Sequence, residues 1–210
     1  DNSSGEALPQ LTSPVTSPPA PAGTFVPAYL AACDYLQIDP FPGIDRFVRG
    51  MAGDRTLDLD RLGNGRDTLH SCDLLPVFLA LKHNHFFTGV KLCHVPPGAP
   101  GFPSINLTAK LSVILSVTPT LSTVVWTGQG LRLKEVTLLS NALIKNARSP
   151  LEVVDLSDNP LFVAKGKGED ALMGFIHFVR AFPDTVHVLR FRGVGMGKNE
   201  AHLFFQTLQD

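Results

Sequence analysis

Pairs of apolar residues separated by one position recur along the chain at a nearly constant spacing. First members of successive pairs are 33, 34, 30 and 35 residues apart. Because alternate residues of a strand point to the same face, each pair predicts a short strand with one buried face. A period of this length is typical of a repeat protein, in which neighbouring units bury each other's apolar faces. The pairs are Leu57/Leu59, Val90/Leu92, Val124/Trp126, Val154/Leu156 and Leu189/Phe191.

The clearest copy of this unit lies at residues 151–161, with the sequence Leu-Glu-Val-Val-Asp-Leu-Ser-Asp-Asn-Pro-Leu. It follows the strand-and-turn pattern of a leucine-rich repeat. Asn159 comes where the strand should end, and we expect its side chain to hydrogen-bond the turning backbone. The other copies have different residues at this position, so the repeat is degenerate; they are Leu62, Val95, Gln129 and Val194.

Helical patterns alternate with the predicted strands. Apolar residues at helical spacing predict helices around residues 74–81, 107–115, 136–144, 172–179 and 203–208. A strand, a helix and a second parallel strand form a right-handed crossover unit. The predicted fold class is therefore α/β: a leucine-rich-repeat solenoid, or right-handed βα superhelix. Its curved parallel sheet should lie on the concave side and its helices on the convex side.

The chain before the first repeat divides into two zones. Residues 1–23 contain five prolines among serines and threonines, which predicts a disordered linker that is either a peptide ligand or an inert spacer. Residues 24–53 show two short helical patterns, which we interpret as an N-terminal cap with a polar outer face. Residues 54–210 then contain about five repeats, and we expect them to be a fragment of a longer array.

Composition limits the possible partners. The 210 residues have a formal net charge of −1, which gives no overall attraction to nucleic acid or to an anionic membrane. No apolar run approaches the roughly 18 residues of a membrane span. The three cysteines match neither a disulfide framework nor a zinc spacing, which favours a reducing, cytoplasmic location.

Two stretches resemble cofactor or metal sites without completing one. The run Gly-Val-Gly-Met-Gly-Lys at 193–198 fails as a phosphate loop, because Arg192 replaces the first glycine and Asn199 the hydroxyl residue. Its glycines are better explained as turn residues, like the Gly-x-Gly runs at 63–65, 128–130 and 166–168. His83, His85 and the neighbouring Cys93–His94 lack paired ligand spacing. We therefore predict no cofactor, no metal and no catalytic residues, and we place Trp126 in the core.

Repeat phase also predicts which side chains line the concave face. Acidic residues mark the first and fourth repeats and basic residues the second and fifth, on either side of a near-neutral centre. Mixed charge favours a protein partner over a phosphate backbone, which requires a stripe of one sign. A merely solvated face is the alternative. The predicted binding residues are Asp58, Asp60, Lys91, His94, Val125, Asp155, Asp158, Arg190 and Arg192.

Repeats of this length with a helix in each resemble the ribonuclease-inhibitor-like class of leucine-rich repeats. The sequence at 151–161, followed by Gly-Glu-Asp-Ala-Leu at 168–172, is most similar to the CARMIL and tropomodulin style. That resemblance implies a non-catalytic protein-interaction module of the scaffold or actin-regulatory type. One alternative is a regulator like Ran GTPase-activating protein, which would direct Arg61 or Arg66 at a bound GTPase. Another is a purely structural repeat segment of a larger protein. The partner's identity and the oligomeric state are not predicted.

Overall fold

The computed structural model describes residues 25–51, 55–62, 74–93, 106–146, 150–162, 168–180 and 184–209. Within these ranges the chain is α/β, with helices packed on a five-stranded, all-parallel open sheet. The predicted linker at residues 1–23 lies outside the described part. The strands are β1 (Thr56–Asp58), β2 (Gly89–Cys93), β3 (Thr123–Thr127), β4 (Val153–Asp155) and β5 (Val188–Arg190).

Helices follow the strands in alternation, as the apolar spacing predicts. Two helices precede the sheet, α1 (Phe25–Leu36) and α2 (Ile44–Arg49). The short α3 (Leu59–Leu62) follows β1 directly. The remaining helices are α4 (Leu74–Lys82), α5 (Leu107–Val117), α6 (Leu133–Lys145), α7 (Gly168–Arg180) and α8 (Lys198–Gln209).

The strands lie in the sheet in the same order as in the sequence, β1-β2-β3-β4-β5. Their register aligns the first residues of the five apolar pairs in one row. The entry to each strand repeats one contact, in which a backbone carbonyl accepts from two successive N–H groups of the next strand's entry. The acceptors are Arg55, Thr88, Ser122 and Glu152, at 2.7–3.2 Å from the donor nitrogens.

The core lies between the sheet and the helices. All eight residues of the first four apolar pairs are at most 3% exposed. They include Leu59 and Leu156, which directly follow β1 and β4. Trp126 is fully buried, as predicted, and its ring lies 6.1 Å from that of Phe78. Successive helices from α4 to α8 contact one another, so the helices form one layer over this face.

The first strand ends earlier than the pattern predicts. We expected Leu59 and Asp60 to continue β1, but both lie in α3. The Asp58 carboxylate accepts a hydrogen bond from the Asp60 N–H at 3.2 Å, which turns the backbone out of the strand. Leu59 still reaches the core and is fully buried.

The N-terminal helices occur where predicted, but the outer face of α1 is not polar. Phe25 and Tyr29 are buried, and α1 packs against α4. On the outer side, Leu30 is 46% exposed and Tyr35 is 81% exposed. The cause is composition, because Asp34 is the single charged residue among the twelve of α1. The expectation of a polar outer face is therefore wrong for this helix.

Candidate functional site

One row of predicted binding residues crosses the sheet on the face away from the helices, which we call the open face. The register aligns these residues directly across all five strands. Each lies between two inward residues, which are buried on the first four strands and partly buried on β5, so its side chain points to the opposite side. The row consists of Asp58, Lys91, Val125, Asp155 and Arg190.

At the β1–β2 end of the row, the charges pair with each other. The Asp58 carboxylate accepts from Lys91 Nζ at 2.9 Å and lies 3.4 Å from Arg61 Nε. Asp58 is only 8% exposed, so its charge requires these partners. The hydrogen bond to Asp58 raises the pKa of Lys91 above its ordinary value. This end is already electrostatically satisfied within the chain.

Asp60 also has an internal role. Its Oδ1 accepts a hydrogen bond from the Cys93 N–H at 2.8 Å, and its Oδ2 lies 3.8 Å from Lys91 Nζ. The contact ties the first turn of α3 to the end of β2. Burial raises the pKa of the Cys93 thiol, the nearby Asp60 adds to that rise, and a hydrogen bond with Thr127 acts against it. Asp60 therefore fixes the β1–β2 end rather than presenting a free carboxylate.

The β4–β5 end of the row differs in its charge pairing. Asp155 and Arg190 lie opposite each other in the register, and the Asp155 carboxylate accepts from the Ser157 N–H at 3.0 Å. Arg190 and Arg192 are exposed, and neither forms an ion pair with another described residue. Val125 lies half-buried at the centre of the row. Two guanidinium groups are thus available to an external partner.

The turn after β4 holds the backbone of this end in place. The Asp158 N–H donates to the Arg192 carbonyl at 2.7 Å, and the Arg192 N–H donates to Ser157 Oγ at 3.1 Å. Asp158 itself is exposed and adopts a left-handed φ of 59°. Gly193, the residue after Arg192, has a φ of 69°, and a Cβ there would lie 2.5 Å from Asp158 Oδ1. The Arg192 backbone is therefore fixed while its side chain reaches solvent.

Asn159 joins two successive turns through a fully buried side chain. Its Oδ1 accepts from the N–H groups of Gln129 at 2.8 Å and Leu131 at 3.1 Å, in the turn after β3. Its Nδ2 donates to the carbonyls of Trp126 at 2.8 Å and Leu156 at 2.9 Å. The predicted contact with its own turn is present, and the contact with the preceding turn stiffens the scaffold under Val125 and Asp155.

Other sequence candidates fall away from the open face or outside the described residues. His94 and Arg66 lie outside them. His83 and His85 are exposed just after α4, and the described part of the chain contains no cluster of three or more metal-ligating side chains. Backbone angles at four glycines of the predicted turns are left-handed, as expected: Gly128, Gly130, Gly193 and Gly195.

A pocket that the apolar pattern does not predict lies at the β1 edge. Its volume is about 250 Å³, and it separates α2 from β1. The i,i+3 spacing of Asp58 and Arg61 is a sequence signal for it, because Asp58 directly precedes α3 and Arg61 lies one turn later in that helix. The pocket is lined by Arg46, Phe47, Gly50, Met51, Thr56, Asp58 and Arg61.

No protein-family model matches the sequence, and no curated protein matches it. Among the described residues, no helix combines the length and apolarity needed to cross a bilayer. The β4–β5 end of the open face is the candidate functional site, because it presents exposed acidic and basic side chains on a backbone that hydrogen bonds hold in place.

Proposed function

We propose that this chain is a leucine-rich-repeat solenoid with an N-terminal helical cap. The regular steps between strands, the shared register and the repeated contact at each strand entry support this proposal. The buried Asn159 also supports it, because its side chain links one turn to the next. A stack of such units gives a rigid, extended sheet, which is the surface that repeat proteins use for binding.

The function we propose is non-catalytic protein binding through the β4–β5 part of the open face. The observation that carries it is the contrast in charge pairing along one row. Lys91 is held by Asp58, whereas Arg190 and Arg192 are exposed and without a described ion-pair partner. Groups already paired within a chain add little to a new interface, whereas free charges steer and orient a partner. The binding set is thus Val125, Asp155, Asp158, Arg190 and Arg192.

The partner class follows from the mixed sign of this surface. Asp155 is aligned with Arg190 across β4 and β5, and Asp158 is joined to Arg192 through the backbone. Acidic residues among the arginines disfavour a polyanionic nucleic acid. By its resemblance to CARMIL and tropomodulin repeats, we propose a cytoplasmic scaffold or actin-regulatory role. A GTPase-activating role requires an arginine free to reach a bound GTPase. Of the two arginines considered for that role, Arg61 lies 3.4 Å from Asp58 and Arg66 lies outside the described residues, so the binding role is the better supported proposal.

Affinity capture from cell lysate tests the proposal. The wild-type chain is compared with an Asp155→Lys/Arg190→Glu variant. Its matched control, Asp34→Lys/Lys145→Glu, makes the same two charge reversals at exposed helical positions. All three should give the same circular dichroism spectrum. We expect one protein to be captured by the wild type and the control and lost with the open-face variant. Equal capture by all three, or no capture, would refute open-face binding.

A further inference from the structure

The pocket at the β1 edge lies outside the surface proposed for protein binding. Its volume is about 250 Å³, and none of the five proposed binding residues lines it. Phe47 and Met51 line it and also pack against the core, so their positions are fixed while each contributes apolar surface to the pocket. Pockets for drug-sized ligands measure roughly 300–1,000 Å³. This one therefore suits a smaller group.

Two arginines present hydrogen-bond donors at the same pocket. Arg46 and Arg61 both line it, and both are exposed. The Arg46 side chain forms no hydrogen bond or ion pair with a described residue. Arg61 Nε lies 3.4 Å from Asp58 Oδ2, which holds its guanidinium beside the pocket while the side chain remains 66% exposed. Each guanidinium thus has N–H groups available to an external acceptor.

The carboxylate in the pocket lining repels an anion little, because its charge is already balanced. Asp58 Oδ1 accepts from the Asp60 N–H at 3.2 Å, and its Oδ2 accepts from Lys91 Nζ at 2.9 Å. Among the other described charges that line the pocket or contact Asp58, Arg46 and Arg61 are opposed by Asp60 alone. One positive charge is therefore in excess at this site, which favours a singly charged anion.

The two kinds of lining fit the two parts of a small acid. A planar guanidinium presents parallel N–H donors that match the two oxygens of a carboxylate. Phe47 and Met51 provide apolar surface for the carbon part of the acid. We propose that this pocket binds the carboxylate of a small acid at Arg46 and Arg61, with the apolar part of the acid on the phenyl and thioether side chains. The acid is a free small molecule or an acidic side chain of a partner, since both present this chemistry.

Methyl NMR of the full chain tests binding at this pocket. The chain contains three methionines, so ¹³C labelling of their methyl groups gives three signals, and Met51→Leu identifies the one in the pocket. Met173 on α7 and Met196 before α8 are the internal controls. Phenylacetate is titrated at low salt beside acetate, which lacks the ring, and phenylacetamide, which lacks the charge.

We expect phenylacetate to shift the Met51 methyl signal saturably, with a Kd of ~1 mM, and to leave the signals of Met173 and Met196 in place. Acetate and phenylacetamide should each bind at least ~5-fold more weakly, because the first lacks the apolar contact and the second lacks the charge. No shift at Met51, equal shifts of all three signals, or equal binding of either comparison compound would overturn the proposal.

Charge removal in the protein tests the role of the two arginines. Arg46→Gln/Arg61→Gln should weaken phenylacetate binding by ~10-fold or more, and Arg46→Gln alone, which removes no contact within the described chain, by at least ~3-fold. Lys110→Gln/Lys145→Gln removes two positive charges at exposed helical positions and should leave binding unchanged. Equal weakening by both double variants would contradict recognition by the pocket arginines. Val125→Lys should also leave it unchanged, whether or not it abolishes capture of a cellular partner, so this proposal and the open-face proposal can fail separately.

Capped tripeptides distinguish the two sources of the acid. One peptide has glutamate between two alanines, and the other has glutamine there. A shift of the Met51 methyl signal by the glutamate peptide, and not by the glutamine peptide, would assign the pocket to an acidic side chain of a partner. A shift by phenylacetate and by neither peptide would assign it to a free small acid. Equal shifts by both peptides would contradict recognition of the carboxylate.

Discussion

Asn159 connects the turns after two successive strands through the hydrogen bonds of its side chain. The side chain is fully buried, and its amide contacts backbone groups on both β3 and β4 turns. Each buried backbone group left without a partner costs roughly 1–3 kcal/mol. The contact within its own turn was predicted from the sequence. The contact with Gln129 was not predicted from the sequence. The spacing between successive apolar pairs varies, so the pattern does not tell which residue of one turn faces the next.

Replacing this side chain should be costly. We expect Asn159→Ala to lower the free energy of unfolding by about 3 kcal/mol, because it leaves N–H and C=O groups in two turns unpaired. Urea denaturation measures the change. Asn141→Ala, at an exposed position of α6, is the control and should change stability by less than about 0.5 kcal/mol. A loss below about 1 kcal/mol for Asn159→Ala would mean that these hydrogen bonds do not hold the turns together.

The Asp58–Lys91 pair should show a defined pH dependence. The folded-state pKa of Lys91 is raised above its ordinary value of 10.5, chiefly by the hydrogen bond to Asp58. A raised pKa means that the stabilisation is fully present below pH 10.5 and is lost as the pH rises through the folded-state pKa. Lys91 is 39% exposed in its side chain, so we expect a coupling free energy of about 0.5–1 kcal/mol at neutral pH.

A double-mutant cycle with Asp58→Asn and Lys91→Met measures this coupling. It should decrease above pH 10.5 and with added salt. The same cycle on Lys134 and Glu135, a pair in which Lys134 is 78% exposed, should give a smaller value. A coupling near zero at neutral pH would show that the β1–β2 end is not internally neutralised, which would remove the contrast on which the binding proposal depends.

At the scale of elements, turn chemistry decides where strands and helices end. Within the described residues, the apolar pattern predicted the five strands and every helix except α3. It placed the end of β1 too late, because the hydrogen bond from the Asp60 N–H to the Asp58 carboxylate redirects the backbone. Side-chain to backbone contacts of this kind act over two residues and are invisible to a periodicity argument.

Two glycines have nearly the same backbone angle but different surroundings, so substitutions at them distinguish conformational strain from side-chain crowding. Gly130 has a φ of 67° with open space around a hypothetical Cβ, and Gly193 has a φ of 69° beside Asp158. We expect Gly130→Ala to cost about 1 kcal/mol, which is the strain of the left-handed conformation. Gly193→Ala should cost about 1 kcal/mol more, because the Asp158 carboxylate must also move.

Thermal denaturation of both variants checks this ordering. In an Asp158→Gly background, Gly193→Ala should cost no more than Gly130→Ala, because the crowding carboxylate is absent. Equal losses for the two alanine variants in the wild-type background would show that Asp158 does not pack against Gly193. The turn would then constrain the Arg192 backbone only through its hydrogen bonds to Ser157 and Asp158.

At the scale of the whole molecule, the sequence predicted which residues share the open face but not which of them are free. The alternation of side chains along each strand is enough to place the row from Asp58 to Arg190 on one face of the sheet. It cannot tell that Asp58 is 8% exposed and paired while Arg190 is solvent-exposed, because the alternation does not show the turn into α3 or the contacts of Asp58 with Arg61 and Lys91. The nine predicted binding residues thus divide into a neutralised end, an exposed end and His94, which lies outside the described residues.

Photo-crosslinking from defined positions shows whether a protein partner binds through the open face. A photoreactive amino acid is placed at Val125 on the open face or, as the control, at the exposed Leu138 on α6. Both proteins are irradiated in lysate and the covalent products identified by mass spectrometry. We predict one abundant adduct from position 125, lost when Arg190→Glu is added, and none of it from position 138. The same adduct from both positions, or from position 138 alone, would contradict binding through the open face.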